Sequence, residues 1–116
     1  MTRKPSFALH ALAAALALPT AVLVAQPVSG PFTVTETGRS FASLQEAINA
    51  VGNNRATIRI QPGTYRQCAV QEQGVIVYEA ATPGAVTLEG RACEGKAALV
   101  LRGTGAEIRG LTFSGI

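Results

Sequence analysis

The chain has 116 residues, ten Lys+Arg against seven Asp+Glu and a formal net charge of +3, which limits it to one domain. It contains no Asp and no Trp, and its one His, His10, lies close to the N-terminus. No basic cluster with interleaved aromatics is present, which argues against nucleic acid as a partner.

The first segment reads as a leader. Arg3 and Lys4 precede the apolar run "ALAAALALPTAVLVA" over residues 11–25, which ends at the small residue Ala25. That layout predicts a secretory signal peptide over residues 1–25, cleaved before Gln26. The competing reading is a membrane anchor, but the run is short for a span of about 20 apolar residues and holds Pro19. No Cys follows it, so a lipid anchor has no attachment point. Cleavage removes two of the ten basic residues and leaves the remainder close to neutral. Such a chain is periplasmic or extracellular, with no membrane contact after cleavage. In that compartment the two cysteines, Cys68 and Cys93, favour a disulfide over two buried thiols.

Residues 26–39 form a linker that holds a candidate strand, "FTVTETG" at 32–38, with apolar and polar residues alternating. Next, Phe41, Leu44, Ile48 and Val51 fall on one face of a helix. Ser43 and Glu46 have capping-box spacing, and Gly52 suits a left-handed end. A helix is predicted from Leu44 to Val51. The period then changes to two in "TIRI" at 57–60, and Pro62-Gly63 supplies turn chemistry. Short apolar runs follow: "CAV" at 68–70, "VIVY" at 75–78, "AVTL" at 85–88, "ALVL" at 98–101, "AEI" at 106–108 and "LTF" at 111–113. Each is too short for a helix and reads as a strand. Both faces of "VIVY" are apolar, so the pattern leaves its inward residues open.

A triplet of aliphatic, charged and Gly recurs as Leu88-Glu89-Gly90, Leu101-Arg102-Gly103 and Ile108-Arg109-Gly110. Spacing of the runs near 20 residues predicts a solenoid rather than a sandwich, whose hairpins favour Asn-Gly or Asp-Gly turns. "SLQEAINAV" leading into "TIRIQPGTY", with the later "GTGAEIRGLTFSGI", resembles the opening of the pectin lyase-like group. The resemblance implies a mainly β fold: a right-handed parallel β-helix whose N-terminal capping helix and first, incomplete rungs occupy residues 40–116. It also implies that the helix covers one open end of the coil. On that architecture Cys68 and Cys93 lie near one corner of adjacent rungs, within reach of a structural disulfide.

Enzymes of the group use Asp-rich sites, and this chain has no Asp to match them. No catalytic residue, metal ligand or cofactor is assigned. Glu72, Glu79, Glu89, Glu94 and Glu107 read as solvated surface charges rather than an acid–base pair. Arg59, Arg102 and Arg109 are the candidates for facing an acidic polysaccharide or cell-surface glycan, against the simpler role of protecting strand edges. Tyr65 and Tyr78 read as packing rather than sugar stacking. The G-x-G in "RGTGAEIRG" lacks the rest of a dinucleotide fingerprint.

The functional expectation is a non-catalytic structural or carbohydrate-binding module. The alternative is the front of a polysaccharide lyase or glycoside hydrolase whose site lies beyond Ile116. The pattern also stops at "LTFSGI" without a cap, which suggests a longer protein, an open C-terminal end that pairs with another chain by strand addition, or a ragged terminus.

Overall fold

The structure, a computed structural model, describes residues 30–116. The expected signal peptide and the first part of the expected linker lie outside the described residues. Ten strands and one helix follow in order: β1 (Phe32–Val34), β2 (Arg39–Phe41), α1 (Leu44–Val51), β3 (Arg55–Ile60), β4 (Gly63–Tyr65), β5 (Ala69–Gln71), β6 (Val75–Ala80), β7 (Val86–Glu89), β8 (Leu99–Leu101), β9 (Gly105–Arg109) and β10 (Leu111–Ser114).

The helix has the limits its sequence predicts. Ser43 Oγ accepts from the Glu46 N–H at 3.1 Å, and Gly52 ends it at φ 62° with its N–H bonded to the Ile48 carbonyl. Leu44, Ala47, Ile48 and Val51 are its buried face. Phe41, expected on that face, belongs to β2 instead.

Three sheets share the core. The largest runs β2-β1-β3-β6-β9, the second β10-β7-β4, and the third pairs β5 with β8. Alternation along the strands decides what goes inside. Ile58 and Ile60 of β3, Ile76 and Tyr78 of β6, and Val86 and Leu88 of β7 are all fully buried. "VIVY" therefore turns Ile76 and Tyr78 inward. β4, inside the expected turn, forms a short strand of its own, and the Tyr65 hydroxyl donates to the Gln61 carbonyl at 2.6 Å.

The mainly β character expected from the sequence is present. The right-handed parallel β-helix is not, and that expectation is corrected here. The largest sheet is mixed, because β1 pairs antiparallel with both β2 and β3. The steps between parallel partners are unequal: Arg55 pairs with Val75, but Val75 pairs with Gly105. The recurring triplets are not structural equivalents either. Leu88 pairs with Phe113, Leu101 with Gln71 and Ile108 with Tyr78, each in a different sheet. Similar triplets arise because a strand that ends on an inward aliphatic, an outward charge and a turn glycine reads the same in any sheet.

Cys68 and Cys93 form a disulfide, with Cα atoms 5.4 Å apart. Cys68 immediately precedes β5, whose partner is β8. Cys93 lies in a turn that folds back on itself, its N–H bonded to the Ala97 carbonyl at 2.9 Å.

Candidate functional site

The three sheets have two unlike ends. At the first, the edges of β3 and β5 are occupied. β1 covers the edge of β3, and the Glu36 carboxylate extends that cover by accepting from the Thr57 N–H at 2.9 Å. This hydrogen bond holds Glu36 below the ordinary carboxylate value. At β5 a side chain acts as the neighbouring strand. The Gln45 amide accepts from the Val70 N–H at 2.8 Å and donates to its carbonyl at 2.9 Å. Gln67 Oε1 accepts from the Leu44 N–H at 2.8 Å and ties the helix to the same region. The Phe32 ring packs 5.0 Å from that of Tyr65, beside β4.

At the second end, β9, β10 and β8 are the last strands of their sheets. Among the described residues no neighbour pairs with their outer edges. Their inward side chains continue the core: Ile108 follows Tyr78, Phe113 follows Leu88 and Leu101 follows Gln71. They remain uncovered. Leu101 is 42% exposed, Ile108 41%, Phe113 40% and Ile116 52%. Leu99, Ile108, Phe113 and Ile116, with Lys96 and Ala98, line a groove of about 490 Å³ here. Contiguous exposed apolar residues beside unpaired strand edges mark an interaction surface.

Beneath this end lies a buried polar pair. The Tyr78 hydroxyl donates to Gln71 Oε1 at 2.5 Å, and Gln71 Nε2 lies 3.0–3.1 Å from the carbonyls of Gln73, Gly74 and Gly105. Both residues are fully buried. Burial pushes the Tyr78 phenol well above its ordinary value, so it stays protonated as the donor.

The candidate arginines do not form one site. Arg59 and Arg109 flank Glu79 across β3, β6 and β9. Arg59 bonds it at 2.9 Å, while Arg109 Nη1 lies 3.8 Å away and its Nε donates to Glu107 at 2.5 Å. Arg102 sits elsewhere, paired with Glu72 at 3.2 Å and with Glu94. Arg66 pairs with Glu89. Hydrogen bonds from Arg102 and Arg109 keep Glu94 and Glu107 below the ordinary carboxylate value. Among the described residues no three His, Cys, Asp or Glu side chains gather as a metal site would require.

Sequence reasoning did not single out Ile108, Phe113 or Leu101 as surface residues, although it noted the missing cap. Their aliphatic pattern is that of core strands, and only the sheet order shows that nothing lies above them. Comparison with family models, with curated proteins and with solved structures finds no match to this chain.

Proposed function

We propose that this chain is an exported, non-catalytic structural module whose working surface is its uncovered end. There it takes up additional β-structure along β9, β10 and β8. The observation that carries this reading is the asymmetry of the two ends. One is closed by β1, Glu36 and Gln45. The other combines open edges with exposed Leu101, Ile108, Phe113 and Ile116. Proteins that avoid edge pairing blunt such strands with charge, Pro or a covering segment. The leader pattern and the Cys68–Cys93 bond are compatible with export. Arg59, Arg102 and Arg109 each have a glutamate partner already, which argues against capture of an acidic polysaccharide.

The test uses the full chain, expressed through an export pathway so that the disulfide forms. Its mass is followed by light scattering against concentration, and binding of a synthetic peptide of residues 105–114 is measured alongside. Association or peptide uptake is expected, and Ile108→Lys combined with Phe113→Lys abolishes it while circular dichroism shows the chain still folded. A chain that stays monomeric at every concentration and binds no strand peptide overturns the reading.

A further inference from the structure

The free edge of β9 is complementary to itself. In a parallel ladder, alternate residues turn both backbone groups to the same neighbour. The Gly105 N–H donates to the Gly74 carbonyl at 3.3 Å, just before β6. Glu107 and Arg109 share that orientation, which leaves the N–H and C=O of Ala106 and Ile108 directed to the open edge. Consider two such strands placed antiparallel about Ile108. The two Ile108 residues exchange N–H···O bonds. Glu107 of each strand then stands opposite Arg109 of the other, in the closely spaced, non-hydrogen-bonded positions. Both charged side chains lie on the solvent side, 54% and 56% exposed, while Ile108 continues the inward column above Tyr78. A slip of one residue would set Ile108 opposite Glu107 or Arg109, and a slip of two would set Glu107 against Glu107 or Arg109 against Arg109.

The closed end blocks one head-to-tail way of stacking copies. Head-to-tail growth would need β9 to pair with the outer edge of β3 in the next copy, and β1 already occupies it. Two open ends that meet each other form an isologous, twofold arrangement.

We propose that two copies of this chain form a closed dimer through their uncovered ends, with β9 pairing antiparallel to β9 about Ile108 and reciprocal Glu107–Arg109 contacts. This rests on the accepting-end reading above and commits it to one occupant. The test is sedimentation equilibrium of the full chain, its disulfide intact, and of two single variants. The wild type is a dimer. Glu107→Lys and Arg109→Glu each weaken the dimer at least about tenfold, because each sets two like-charge pairs across the joint. Mixed in equal amounts they restore it, since both cross-strand contacts become opposite in charge. Glu107→Gln and Arg109→Gln, gentler changes at the same exposed sites, weaken it less, and mixing them restores part of the loss because the mixed dimer regains one Glu107–Arg109 contact. Melting curves confirm that each variant is folded. Dimers indifferent to these charges, or an open ladder of larger species, overturn this pairing and leave the accepting end standing. So does a monomer that still binds the 105–114 peptide. A monomer that binds nothing overturns both.

Discussion

Gln71 and Tyr78 meet in the interior at 2.5 Å, with three backbone carbonyls around the Gln71 amide nitrogen. A buried acceptor that loses its donor costs about 1–3 kcal/mol. Tyr78→Phe should lower stability by about that much in a urea titration, without changing the ring packing. Gly103 guards the same pair. A Cβ there would stand 2.3 Å from Gln71 Nε2 and 2.8 Å from the carbonyls of Gln73 and Gly74. Gly103→Ala should therefore lower the melting temperature further than Tyr78→Phe does. Glu36 gives a pH signature. Its folded value lies below the ordinary 4.5 because it accepts from Thr57. Its contribution is present above that value and is lost as pH falls through the depressed one. Melting temperature should fall on acidification below about pH 4.5, and Glu36→Gln should flatten that fall.

At the scale of elements, α1 was legible in full because its signals are local: a serine cap, a 3.6-residue stripe and a terminal glycine. Most strands were legible too, within a residue or two at their ends. Their partners were not. Register depends on which inward side chains meet residues 20 to 30 positions away, as when Arg55 finds Val75 and Val75 finds Gly105. A repeated triplet carries no such information, so Leu101 and Ile108 sit in different sheets although their triplets match. β8 joins β5 in a two-stranded sheet. That sheet leans on the disulfide beside it. Cys68→Ser with Cys93→Ser should cost about 3 kcal/mol, measured by denaturant unfolding against the oxidised wild type. Backbone amide exchange should rise first in β5 and β8, the sheet with fewest strands.

For the whole molecule, the candidate site was only half legible. A missing cap could be noticed along the chain, but the identity of the exposed surface needed the order of the sheets. The arginines show the converse. Arg59 and Arg109 stand 50 positions apart in sequence, yet both reach Glu79 through the register of three strands. Arg102 looked equivalent to Arg109 and is not. Covering Leu101, Ile108, Phe113 and Ile116 is the one large gain in burial still open to the described residues. This end, and not the helix end, is expected to receive further β-structure. Residue-resolved amide hydrogen exchange on the full chain at low and high concentration tests it most directly. Ala106 and Ile108 should gain protection as concentration rises, with β1 and α1 unchanged. Protection that appears at β1 or α1, or fails to appear at β9 while the protein associates, would contradict it.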